Sequence, residues 1–146
     1  TRPLSSGMPS GISWSIRRSR RELADVPDSH NVFAAGDFNT TSTEDDEHGM
    51  LERFVRPHWE VVSNDLCDGC PGTQYYSRDD SWSFLDMVVF SPSGEDGSAW
   101  QVSSVELANE VPAQVTAEGT PQRYRSAGRT GVSDHWPVLM TLERRP

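Results

Sequence analysis

Seven consecutive residues, Phe84-Leu85-Asp86-Met87-Val88-Val89-Phe90, are apolar at every position but one. A short run without alternation, flanked here by Ser83 and Ser91, reads as a strand buried on both faces. A lone carboxylate inside such a strand costs several kcal/mol unless a partner charge or hydrogen bonds compensate. Asp86 is therefore either an aspartate at a strand edge that caps a turn, or a carboxylate held there to orient a histidine, as in a catalytic triad. Four histidines are available, His30, His48, His58 and His135. Only His135 stands in a conspicuously polar cluster at the mouth of an apolar segment, Gly131-Val132-Ser133-Asp134-His135-Trp136-Pro137-Val138.

The rest of the chain supplies further elements. Asn31–Ala35 is a short apolar run that predicts a buried strand ended by Gly36-Asp37. Asp37 and Asn39 then lie at the C-terminal end of that strand, where ligand and catalytic groups commonly emerge, although both residue types also favour turns for their own local hydrogen bonds. Thr41 with Glu44 three residues on fits a capping box. It predicts a helix that carries Met50, Leu51, Phe54 and Val55 on one face and ends at Pro57. From Trp59 onward the pattern is β, with strands expected over Glu60–Ser63, Thr73–Ser77, Trp82–Ser91, Trp100–Leu107 and Trp136–Leu142. Thr1–Gly11 and Ser93–Gly97 read as loops. A helix is expected over Ser10–Leu23, with Arg17, Arg18, Arg20 and Arg21 on a solvated face rather than a phosphate patch. Asn109–Val132 is a long connection of the functional or mobile kind. The order of elements points to an α/β or α+β sandwich.

Charge narrows the partners. The 146 residues fit one domain and carry a formal charge of −9, with every one of the 13 basic residues an arginine. Residues 37–86 hold three arginines against twelve acids, so the middle of the chain carries the imbalance. Glu44-Asp45-Asp46-Glu47 reads as a solvated acidic face, or as part of a field that holds a divalent cation through oxygen ligands. The balance argues against tight, non-specific binding to nucleic acid, but leaves open a phosphate ester handled through a metal. No apolar run approaches the roughly 18 residues of a membrane helix. No signal peptide starts at Thr1, and the missing initiator methionine suggests a processed or excised piece. Cys67-Asp68-Gly69-Cys70 has no second pair, so a local disulfide or two loop thiols are expected ahead of a zinc site. A disulfide would favour an extracellular or periplasmic location.

Taken together, GDFN after an apolar strand, Asp86 within WSFLDMVVFS, and SDHWPV opening the last strand occur in that order. This set resembles the endonuclease/exonuclease/phosphatase superfamily, the metal-dependent phosphoesterases that include DNase I-like nucleases, abasic-site endonucleases, sphingomyelinases and inositol-polyphosphate phosphatases. The segment GTQYYSRDDSWSFLDMVVFS looks like its bacterial, nuclease-like branch. The resemblance implies that Asp37 positions or deprotonates the attacking water and that Asn39 holds that water and the phosphoryl oxygens. It likewise makes Asp134 a metal ligand, His135 the contact to the scissile phosphate, and Asp86 the carboxylate that orients His135. The implied metal is Mg²⁺ or Mn²⁺, with Ca²⁺ as a further candidate. In-line attack on a phosphodiester needs an activated water, a cation and a donor at the phosphoryl group, and these residue types match those demands.

The family fold is a four-layer α/β sandwich about twice this length. The resemblance therefore makes residues 1–146 its C-terminal half: a mixed, mostly antiparallel sheet with helices on one face, lacking the first-half Asn and Glu that complete the metal site. Such a half is expected to be inactive alone and to pair with the missing N-terminal half, or to self-associate through an exposed sheet face. The implied substrate is a phosphate ester, with nucleic acid as one candidate. A phosphatase or sphingomyelinase type and a non-catalytic binding module are the alternatives. Tyr75, Tyr76, Trp82 and Trp136 are candidates for stacking on a substrate or for core packing. Arg123, Arg125 and Arg129 either meet a substrate phosphate or are solvated.

Overall fold

The structure, a computed structural model, describes residues 30–91 and 100–145. The elements expected over Thr1–Gly11, Ser10–Leu23 and Ser93–Gly97 lie outside those residues. In chain order the described elements are β1 (Phe33–Asp37), α1 (Ser42–His48), a π-helical turn (Leu51–Val55), β2 (Glu60–Val61), α2 (Val62–Leu66) and β3 (Gln74–Tyr76). There follow β4 (Ser81–Ser83), β5 (Asp86–Phe90), β6 (Trp100–Leu107), a 3₁₀ turn (Pro112–Gln114) and β7 (Val138–Arg144). Helices and antiparallel strands make this an α+β fold, and every strand pairing among the described residues is antiparallel.

β5 lies between β1 and β2, and it is buried on both faces. Met87 and Val89 enter one apolar cluster with Leu51, Val55, Trp59 and Val61. Val88 and Phe90 enter a second cluster with Val62, Cys67, Val105, Leu107 and Trp136. This double burial is why the run shows no alternation. The two-residue period of a strand puts Asp86 on the face of Val88 and Phe90, the side where Trp136 packs. Because β2 is only two residues long, the Val88 N–H has no ladder partner there and donates instead to the Oγ of buried Ser63, 3.1 Å away. β6 and β7 form a bulged antiparallel ribbon whose Val105, Leu107, Val138 and Met140 close the second cluster. Two sheets are thus packed through the Trp136 cluster.

Several boundaries differ from the sequence expectation. Trp82–Ser91 is not one strand, because Phe84 and Leu85 separate β4 from β5. Glu60–Ser63 leaves the sheet after Val61 and turns into α2. The first strand is largely exposed rather than buried, with Phe33 at 56% exposure, and among the described residues β1 is paired on one side only. The single helix expected to end at Pro57 is interrupted: Gly49 closes α1 in the left-handed conformation, and Met50, Leu51 and Val55 are buried from the π-helical turn that follows. The helical segments do not form one layer, since the π-helical turn packs on one face of β5 while Val62 and Cys67 belong to the cluster on the other. Cys67 and Cys70 form a disulfide. Among the described residues no helix is long and apolar enough to cross a membrane.

Candidate active site

Asp86 is the first residue of β5, and its register partner on β1 is Asp37, the last residue of that strand. Two carboxylate-bearing residues therefore stand at one end of the sheet. The ladder runs one step further, with the Phe38 N–H donating to the Leu85 carbonyl at 2.7 Å. The chain then turns sharply. Asn39 takes a left-handed conformation, φ 50°, and its N–H donates to Asp37 Oδ1 at 2.9 Å. This is the local side-chain hydrogen bond that Asp favours in turns, and Asn tolerates the left-handed conformation better than most residues.

His135 reaches the same end from the segment before β7. Its Nδ1 lies 2.6 Å from Asp86 Oδ2. An ionised carboxylate can only accept, so Nδ1 donates to it, and Nε2 is the ring nitrogen left for another partner. The Asp86 carboxylate is not enclosed in the strand interior, as the apolar run suggests. It opens β5, and the two side chains are 28% and 26% exposed. Residual hydration and the histidine together lower the cost of the charge. The His135 N–H donates to Ser133 Oγ at 3.0 Å, which curls the Ser133-Asp134-His135 turn.

The partner segments are tied by one residue that sequence reasoning treated as ordinary strand. Thr73 has no exposed surface. Its Oγ1 accepts from the N–H groups of Leu85 and Asp86, each at 3.1 Å, and its carbonyl accepts the Trp136 N–H at 2.8 Å. Its own N–H donates to the Ser83 carbonyl at 2.9 Å. The neighbouring Gln74 forms an isolated β-bridge with His135. The only signal in the sequence was Gly72 before Thr73, and it marks a close backbone approach: a Cβ at Gly72 would stand 2.8 Å from the Ser83 carbonyl oxygen.

Asp134, next to His135, makes an ion pair with Arg123 at 3.6 Å. Both side chains are well exposed, and a pair of this kind is worth about 0–1 kcal/mol. The arginine is brought there because Val132 N–H donates to the Gln122 carbonyl at 2.8 Å, which lays the two segments side by side. Arg125 and Thr130 close a small turn in the same connection, with Arg129 inside it. The Asn109–Val132 connection is therefore folded into short bridged turns rather than open loop. Tyr75, Trp82 and Trp136 stack in series, with centroids 5.2 and 5.0 Å apart. Trp136 is buried and Trp82 packs against the same cluster, so these two serve the core, while Tyr76 is exposed. The Tyr75 hydroxyl donates to Asp80, and that carboxylate holds the phenol proton and pushes its pKa up.

Among the described residues no group of three or more His, Cys, Asp or Glu side chains is arranged to hold a metal ion. Asp134 is one exposed carboxylate already facing a cation, the Arg123 guanidinium. One carboxylate does not make a closed metal site; Mg²⁺ usually takes one or two carboxylates together with several waters. Of the residues singled out by sequence, Asp86 and His135 are in contact, Asp37 is the cross-strand neighbour of Asp86, Asn39 follows in the turn, and Asp134 flanks the histidine. No model of a known protein family matches the sequence, and no curated protein matches it.

Proposed function

We propose that the chain is the C-terminal half of a metal-dependent phosphoesterase of the endonuclease/exonuclease/phosphatase type, with a nuclease-like phosphodiester hydrolase as its specialisation. The observation that carries this reading is the Asp86–His135 hydrogen bond of 2.6 Å, at the sheet end shared with Asp37 and Asn39. On the same reading, the two sheets packed through the Trp136 cluster are half of a four-layer sandwich.

In this account Asp86 accepts from Nδ1 and fixes the direction of the His135 ring, so that Nε2, when it carries a proton, donates to a phosphoryl oxygen. Asp37, with one carboxylate oxygen engaged by the Asn39 N–H, orients the attacking water or takes its proton through the other oxygen. The Asn39 side chain donates to the phosphoryl group. Asp134 is the residue that would hold Mg²⁺ or Mn²⁺, with Ca²⁺ as a further candidate, and the ion when bound offsets charge on the non-bridging oxygens. Its remaining ligands would come from the N-terminal half that this reading requires. The exposed β1 strand, with Phe33, is the face that meets that half or a second copy. The Cys67–Cys70 disulfide supports an extracellular or periplasmic location.

The test is hydrolysis of plasmid DNA and of bis(p-nitrophenyl) phosphate by the full-length protein in Mg²⁺. His135→Ala is expected to slow both by about 10²–10⁴-fold, the usual worth of a positioned acid–base or donor group. Undiminished hydrolysis by the variant contradicts the assignment. A wild-type protein that binds DNA without cutting it points to the binding module instead.

A further inference from the structure

We infer that Thr73 is the positioning residue of the Asp86–His135 pair: its hydroxyl holds the aspartate end and its main chain holds the histidine end. The break between β4 and β5 leaves the consecutive N–H groups of Leu85 and Asp86 without strand partners, and both turn to Thr73 Oγ1 at 3.1 Å. A hydroxyl has two acceptor lone pairs and one proton. Both lone pairs are used here, and the proton faces the Ser83 carbonyl at 3.5 Å. On the other side the Thr73 carbonyl takes the Trp136 N–H, one residue beyond His135, and the Gln74–His135 bridge follows from the same alignment. One buried residue thus helps set the separation of two segments that lie 49 positions apart in the chain and meet through the Asp86–His135 hydrogen bond and the Trp136 cluster.

Geometry of this kind has a chemical consequence. Hydrogen-bonded constellations that act on a substrate need placement to a fraction of an ångström, and a shift of about 1 Å far from the reacting atoms can cost about 10²-fold in rate. Thr73 touches no substrate in this account; it acts by fixing where Asp86 begins and where His135 ends. The comparison residue is Ser63, whose buried hydroxyl likewise accepts a β5 N–H, that of Val88, but two residues away from the pair. The two hydroxyls make similar bonds to one strand, and only Thr73 also bonds to the histidine segment.

The kinetic part of the test rests on the phosphoesterase reading, and the spectroscopic part does not. The imidazole nitrogen and Nδ1 proton resonances of His135 are recorded by NMR and assigned by their loss in His135→Gln. Thr73→Val is expected to move them to the positions seen in Asp86→Asn, where the pair is broken. Thr73→Ser, which keeps the oxygen, is expected to restore the wild-type spectrum. Ser63→Ala is expected to lower stability and leave the His135 signals in place. In the full-length protein, Thr73→Val should lower kcat at least tenfold with KM changed less than twofold, and Thr73→Ser should stay within threefold of wild type. Thr73→Cys, with a weakly accepting thiol, substitutes if the valine variant does not fold. Wild-type His135 resonances in a folded Thr73→Val or Thr73→Cys protein overturn the inference, as does an equal displacement in Ser63→Ala. Absence of hydrolysis by the wild-type protein would count against the phosphoesterase reading alone.

Discussion

Gly72 lies at φ 147° with the Ser83 backbone directly over its α-carbon, so both the backbone conformation and the space demand glycine. Gly72→Ala is expected to lower stability by about 2 kcal/mol, the scale of one strained backbone position, with the urea midpoint reduced and the m-value unchanged. Gly36→Ala, where nothing lies within 4 Å of the added carbon, should stay within about 0.5 kcal/mol of wild type. The same contrast explains what sequence reasoning reaches at this scale. Asp86 and His135 stood out because a carboxylate in an apolar run and a histidine in a polar turn are anomalies in their own segments. Thr73 did not, because threonine is common in strands. What distinguishes it is the long-range approach of Leu85, Asp86 and Trp136, which no local pattern records. Arg123 beside Asp134 was hidden for the same reason, since its position follows from the Gln122–Val132 contact.

At the scale of elements, α1 is fixed by its start rather than by burial. It buries no residue, and its Thr41–Glu44 capping box is complete: the Glu44 N–H donates to Thr41 Oγ1 at 3.2 Å and the Thr41 N–H to the Glu44 carboxylate at 3.0 Å. Thr41→Ala should remove about 1 kcal/mol of helix stability. Hydrogen exchange should show the loss in residues 42–48, with the β5 amides unchanged. The Thr41 N–H, and after it the Thr41 hydroxyl, hold the Glu44 carboxyl below its ordinary range. The folded state therefore binds that proton less readily than the unfolded one. The carboxylate's share of the cap is full above the ordinary carboxyl range and is lost as the pH falls through the lowered folded-state value, while the Glu44 N–H to Thr41 Oγ1 bond remains. The difference between Thr41→Ala and wild type should shrink over that acid window. The box was legible because all its bonds are local. The interruption at Gly49 and the π-helical turn were not, because burying Leu51 and Val55 against Trp59 and β5 overrides continuous helix. β5 was recognised from its double-faced apolarity, and its starting point was missed because Phe84 and Leu85 are as apolar as the strand they precede.

Across the whole molecule, the acidic excess of residues 37–86 includes both carboxylates at the candidate-site end of the sheet, Asp37 and Asp86. The remaining acids of that span lie mostly on exposed turns and on α1, which makes them a solvated surround. On the proposed reading, any affinity for a polyanion would have to come from a bound cation and from the exposed arginines of the Asn109–Val132 connection, since phosphate binding follows cation number. The pattern of elements pointed to an α/β or α+β sandwich, of which the structure is the α+β kind, while the mostly antiparallel pairing was expected from the resemblance alone. The juxtaposition of three distant segments at one sheet end depended on tertiary contacts that only the motif order hinted at. The central claim is that Asp86 and His135 act as one unit on a phosphodiester. It is tested most directly by a double-mutant cycle on Mg²⁺-dependent hydrolysis of bis(p-nitrophenyl) phosphate by the full-length protein, with Asp86→Asn, His135→Ala and both together. Residues that act as a unit are non-additive, so each single variant should lose about 10²-fold or more and the double variant should be no slower than the slower single. Losses that multiply in the double variant, or hydrolysis unchanged in either single, would contradict it.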